Sequence, residues 1–163
     1  MKDPTRVAFL GDDLGAAFVL ATVAAPSPFT AAVAIDPPAE VTRDSVFGSA
    51  SPWVSLRNFD RAGGWSESAR LAAALSPKNT VSSLQVPTLL VYRPSQISRQ
   101  GALAESAGIL KPLLAKAAAP TRLLPARSWQ HDWRTATEVA RDHAEVMAQI
   151  GSFLRESLGT PKP

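Results

Sequence analysis

Apolar residues fall along this chain in short blocks separated by Pro, Gly and small polar residues. Arg6-Val7-Ala8-Phe9-Leu10 is a brief apolar run closed by Gly11, the signature of a buried strand ending in a sharp turn. Leu14 to Ala25 comes next and is apolar on every side, so it predicts a helix inside a fold rather than on its surface. Pro26 and Pro28 stop it. Thr30 to Ile35 predicts a second buried strand, ended by Asp36-Pro37-Pro38. Residues 37 to 66 carry no period and read as a long loop, after which Ser66 is placed to cap a helix from Glu67 to Leu75 that Pro77 ends. Val86 to Tyr92 is the clearest strand, with Pro87 tolerable only near its start. Leu103, Ala107 and Leu110 share a helical face that Pro112 interrupts, or restarts as a second helix. Thr121 to Leu124 predicts the last strand. Thr135 to Leu158 predicts the longest helix, with Val139, Val146, Ile150 and Phe153/Leu154 as its apolar stripe and Gly159 as its stop.

Strand and helix alternate four times. That order implies right-handed crossovers and an α/β fold, a mostly parallel four-stranded sheet with helices on both faces. The 163 residues fit one domain over 1–163, and no internal repeat or interdomain linker breaks them. Composition narrows the chemistry. No Cys is present, which excludes disulfides, thiolate metal sites and a Cys nucleophile, and two His are too few for a multi-His metal centre. No cofactor is expected. A net charge of +3 without a basic run gives no footprint for nucleic acid. The twelve apolar residues from Leu14 to Ala25 are too short to span a bilayer, and Asp12 and Asp13 spoil them as a signal peptide. The expected setting is the cytoplasm, with no membrane partner.

The chemistry concentrates at the first turn. Gly11-Asp12-Asp13-Leu14-Gly15 has the spacing of a nucleophile elbow, G-x-Nuc-x-G, between a buried strand and a buried helix. Glycines on either side let strand and helix approach. The middle side chain then projects beyond the carboxyl ends of the strands, and the Leu14 amide at the helix start points at the same space as an oxyanion donor. The middle residue is Asp13. It can act as a nucleophile that forms an ester for water to hydrolyse, it can stand where a serine has been lost, or Asp12 and Asp13 can simply cap the helix.

Several segments, in this order, resemble the prolyl oligopeptidase family of serine peptidases. They are Asp3 to Gly11, Phe29 to Ala34, Leu75-Ser76-Pro77, Val86-Pro87-Thr88-Leu89-Leu90-Val91, and a His followed by a long terminal helix. The dipeptidyl-peptidase and acylaminoacyl-peptidase types belong to that family, whose catalytic domain has the α/β-hydrolase fold. The resemblance implies the C-terminal half of such a domain. It maps the nucleophile serine onto Asp13 and the triad acid onto Gln96, with Arg93 at the Gly that follows the strand. The triad base maps onto His131, in Trp129-Gln130-His131-Asp132-Trp133. Gln96 cannot hold a negative charge beside an imidazolium, so the implied function is a peptidase or hydrolase homologue without serine activity.

Two further readings stay open. Asp36 ends the second strand on the same edge of the sheet as Asp13, so Asp13, His131 and Asp36 form a candidate nucleophile–base–acid set, as in haloalkane dehalogenases and epoxide hydrolases; otherwise Asp36-Pro37 merely starts a turn. His143, between Val139 and Val146, reads as a core or boundary residue. The resemblance also implies strands ahead of the elbow that cannot lie within ten residues, which leaves Val7 to Leu10 as an edge strand. That edge suggests a non-catalytic interaction module, pairing with a second copy or a partner chain. The ligand expected at the strand ends is a peptide or an ester-like small molecule.

Overall fold

The computed structural model describes residues 6–41, 65–92, 100–125 and 136–159. Four parallel strands form one sheet in the order β1-β2-β3-β4: β1 (Ala8–Asp12), β2 (Ala31–Ile35), β3 (Thr88–Tyr92) and β4 (Thr121–Pro125). Between them run α1 (Leu14–Val23), α2 (Trp65–Leu75), the single turn α3 (Pro77–Thr80), a 3₁₀ turn at Val81–Ser83 and α4 (Gln100–Leu114); α5 (Ala136–Leu158) comes after β4. The expected mostly parallel sheet with helices on both faces is the observed one. No described helix is long and apolar enough to cross a membrane.

Two cores explain the sandwich. On one face, Ala16, Val19, Leu20 and Val23 of α1 and Leu110 and Leu114 of α4 pack on Ala32, Ala34, Leu90 and Tyr92. On the other, Val146, Ile150 and Phe153 of α5 pack on Ala31, Val33, Ile35, Leu89 and Val91. Alternate residues of β2 and β3 thus serve opposite faces, which is why both strands read as unbroken apolar runs. A smaller cluster seats Leu75 and Ala72 of α2 against Ala17 and Val41. The helix α1, which carries no charged residue, is therefore covered on two sides.

Several boundaries differ from the sequence pattern. Strand β1 runs through Gly11 and Asp12, so the turn comes two residues later than the glycine suggests, at Asp13. Helix α2 begins at Trp65, which puts Ser66 inside it rather than at its cap. Pro77 starts α3 instead of merely ending α2. Helix α4 continues through Pro112 without a break. His143 is exposed, because Asp142, not His143, lies one turn before Val146 and is the residue buried there.

Arg6 ties the start of the described residues to their end. Its Nε donates to the Leu158 carbonyl at 2.7 Å and its Nη2 to the Gly159 carbonyl, satisfying the last carbonyls of α5. The segment after β2 is pinned as tightly. The Ala39 amide donates to Ser106 Oγ (3.0 Å), the Val41 amide to Ser76 Oγ (2.9 Å) and the Lys78 amide to the Ala39 carbonyl (2.9 Å).

The contact between β1 and α1 leaves no room at Gly11. A Cβ there would lie 2.4 Å from the Gly15 carbonyl oxygen and 2.8 Å from a Val19 methyl, whereas one on Gly15 would meet nothing within 4 Å. Only the first glycine of the elbow is thus needed for close approach. Gly11→Ala is expected to destabilise by about 2 kcal/mol or more through overpacking against backbone. Gly15→Ala, in the first turn of a helix, is expected to change stability by less than about 1 kcal/mol. Denaturant midpoints of the two variants check the contrast.

Candidate active site

Register brings the candidate residues together. Asp12 pairs with Ile35, and Ile35 with Val91. The residues that come after these three are Asp13, Asp36 and Tyr92, so they form a row across the carboxyl ends of three neighbouring strands. Such a row, where strands give way to loops and helix starts, is where open α/β sheets place their ligands.

Asp13 and Asp36 are the two non-glycine residues with positive φ among the described residues, at 54° and 48°. Asp13 pairs that φ with ψ −120°, well outside the left-handed helical well that Asp tolerates. Its amide donates to the Ile35 carbonyl (2.9 Å) and its own carbonyl accepts from the Ala16 amide (3.0 Å). The backbone is therefore held to the neighbouring strand on one side and to the first turn of α1 on the other. The carboxylate sits at the N-cap position but makes no capping hydrogen bond to α1, which removes helix capping as the reason for an acid here. The side chain is exposed at the mouth of the sheet. Leu14 is the first residue of α1, so its amide has no acceptor within the helix and lies at the positive end of the helix dipole.

Asp36 is buried. Its amide donates to the Val91 carbonyl at 2.7 Å, extending the β2–β3 ladder one residue beyond the strand. The pinned segment Pro37–Val41 then leads away, so the position of Asp36 is fixed from both sides. Tyr92 is buried beside it, and its hydroxyl donates to the Pro37 carbonyl at 3.4 Å. Burial, and then the negative charge of Asp36, push the Tyr92 phenol above its ordinary range. In the sequence Tyr92 reads only as the end of a strand; its place beside Asp36 arises from register between β2 and β3, which no local pattern encodes.

The set expected from sequence is brought together in part. Asp13, Leu14 and Asp36 meet at adjacent strand ends, while Gln96 and His131 lie outside the described residues. Among the described residues no group of three or more His, Asp or Glu side chains gathers in a way that could hold a metal ion.

Tyr92 is the sole tyrosine of the chain, so tyrosinate absorbance reports it without interference. Its raised folded pKa favours the neutral phenol in the native state. The associated stability is complete below the ordinary phenol value of about 10 and is lost as pH rises past it. A spectrophotometric titration should show Tyr92 ionising later than free tyrosine, and Asp36→Asn should move that titration downward. An unchanged titration in the variant would place the Asp36 charge away from the phenol.

No protein-family model and no curated protein sequence matches the chain. Solved structures do. The chain is similar to the acylaminoacyl peptidase of Pyrococcus horikoshii, with a TM-score of 0.66 and 13% identity over 98% of this chain and 25% of that one. It is similar to a puromycin-hydrolysing peptidase of Mycobacterium tuberculosis, at 0.59 and 23% over 99% of this chain and 24% of that one. An esterase of the bacterial hormone-sensitive lipase family aligns at 0.59 and 21% identity, over 96% of this chain and 55% of the esterase. The chain spans about a quarter of the length of the two peptidases and about half that of the esterase. Across peptidases and esterases alike, what is shared is the arrangement of four parallel strands and their covering helices: the chain has a partial α/β-hydrolase fold.

Proposed function

We propose that this chain is a hydrolase homologue of the prolyl oligopeptidase type that keeps the nucleophile elbow without its serine chemistry, and that peptides or ester-like small molecules are ligands of its strand ends rather than acyl donors. The observation that carries this reading is Asp13 itself. It occupies the strained strand-to-helix turn, with the Leu14 amide next to it, and bears a carboxylate where acyl transfer needs a hydroxyl. A carboxylate attacking an amide or ester carbonyl would give a mixed anhydride, a higher-energy species than the amide or ester it came from. A serine hydroxyl gives a stable ester instead. The elbow geometry therefore supports ligand placement and not peptide-bond cleavage. Gln96 at the acid position, read from sequence, points the same way.

One observation favours a second reading. Buried Asp36 stands directly beside Asp13 in register, and both are held at positive φ. A carboxylate can displace a leaving group at a saturated carbon, opening an epoxide or expelling a halide. The resulting alkyl ester is then hydrolysed by a water that a histidine activates. In that scheme Asp13 is the nucleophile, His131 the base and Asp36 the acid that orients it.

Two measurements test these readings, and the second separates them. The purified chain should show no labelling by a fluorophosphonate probe, and robust labelling would overturn the loss of serine chemistry. Incubation with epoxides and haloalkanes in heavy-oxygen water, followed by peptide mass analysis, should leave Asp13 unlabelled. Heavy oxygen in the Asp13 carboxylate would replace the first reading by the second.

A further inference from the structure

At Asp13 a strained backbone and a reactive side chain coincide. A tetrahedral Cα sets Cβ a third of a turn from the backbone nitrogen, so the ψ of −120° at Asp13 eclipses its Cβ with the Leu14 nitrogen. Helices and strands avoid that arrangement, with ψ of about −42° and about +115 to +135°. Here the torsion is held from both sides. The Asp13 amide donates to the Ile35 carbonyl (2.9 Å), and the Asp13 carbonyl accepts from the Ala16 amide (3.0 Å). The second bond also draws electrons toward the oxygen of the peptide group to which the Leu14 nitrogen belongs. That nitrogen lies at the positive end of the α1 dipole as well, so both effects make its proton easier to lose. The Asp13 side chain is exposed, where contacts are weak enough to let χ1 turn and set Cγ against the Leu14 nitrogen.

We infer that Asp13 is a site of spontaneous backbone modification, its side chain closing on the Leu14 amide as a succinimide. The Leu14 nitrogen bonds to Cγ of the protonated Asp13 carboxyl. The Cγ–OH bond breaks, and the hydroxyl leaves with the Leu14 amide proton as water. The ring joins Cα, Cβ and Cγ of Asp13, the Leu14 nitrogen and the Asp13 carbonyl carbon. Closing it requires the eclipse of Cβ and nitrogen that the fold already imposes. Water then opens the imide at either carbonyl. Attack at Cγ restores Asp13, and attack at the backbone carbonyl gives isoaspartate. No oxidant, reductant or second substrate takes part, and the imide removes the negative charge from the elbow. Two neighbouring acids lack the geometry or the chemistry. Asp12 lies in β1, whose extended backbone turns Cβ away from the next nitrogen. Asp36 precedes Pro37, whose nitrogen has no proton to give up. The inference rests on the backbone at Asp13 and is independent of what binds at the strand ends.

Ageing the chain for weeks in mildly acid buffer tests the inference, with one sample folded and one unfolded in guanidinium chloride. Circular dichroism follows the fold and intact mass follows the imide. The folded chain should acquire a species lighter by one water. Isoaspartate should appear at Asp13 within the tryptic peptide from Val7 to Arg43, which also carries Asp12 and Asp36, and electron-transfer fragmentation locates it. Modification of the folded chain should outpace that of the unfolded chain roughly 5- to 150-fold, the population ratio that strain at such a torsion represents. Asp13→Asn, which also tolerates positive φ, should form the same imide by loss of ammonia and do so faster than the wild type. Equal or slower modification in the folded chain would overturn the inference. So would isoaspartate at Asp12 or Asp36 in place of Asp13, or a folded Asp13→Asn chain that keeps its side-chain amide. The reaction needs no epoxide or haloalkane, so a substrate-free sample kept for the same time separates it from turnover through an ester.

Discussion

The contact of α1 with β1 at Gly11 is the constraint on which the rest of the structure depends. The strand and helix touch backbone to backbone there, with no space for even a methyl group. That approach sets the depth at which α1 lies on the sheet. It seats Ala16, Val19, Leu20 and Val23 in the core with no exposure at all and leaves Ala17 for α2 to cover. α1 is covered from two sides and gives its remaining stripe, Gly15, Phe18 and Thr22, to water. Phe18, at 45% exposure, is the large side chain for which this arrangement finds no cover.

A second set of restraints fixes the segment after β2. Ser76 and Ser106 are both buried, and each accepts an amide from the segment Ala39–Val41. A buried amide without a partner costs roughly 1–3 kcal/mol, so these hydroxyls decide where an otherwise irregular segment can lie. They thereby hold Asp36 at its positive φ beside Tyr92. Neither serine carries any signal in the sequence, since each acts on residues more than thirty positions away. The same is true of the pair Arg6 and α5, which joins the two ends of the described chain.

The part of the fold that is legible in the sequence is the part governed by local rules. The four strands, the buried helix after the first and the long amphipathic helix at the end emerge from the length and period of apolar runs. The elbow emerges from glycine spacing. Boundaries fail where tertiary contact overrides propensity. Strand pairing with Ala34 and Ile35 carries β1 through Gly11 and Asp12. His143 is one residue out of phase with the buried stripe, which on a helix is enough to move a side chain from the sheet to solvent. Asp13 and Asp36 are legible as a pair because both end strands. Tyr92 is not, because its relation to Asp36 exists only in the β2–β3 register.

Strain at the elbow has two explanations, and the packing discriminates between them. A strained backbone at a strand end is often maintained for chemistry. Here it is over-determined by structure alone. The Asp13 amide is tied to Ile35, its carbonyl is tied to Ala16, and the helix that begins there is locked by the Gly11 contact. A strain of about 1–3 kcal/mol at one residue is small beside the burial of four α1 side chains in that core, each alanine or larger. The turn would therefore keep its shape whichever residue stood at position 13, provided that residue tolerated positive φ. Asp does so better than most. Retention of the elbow is thus a consequence of the fold, and the identity of the side chain that it presents is the separate fact that bears on function.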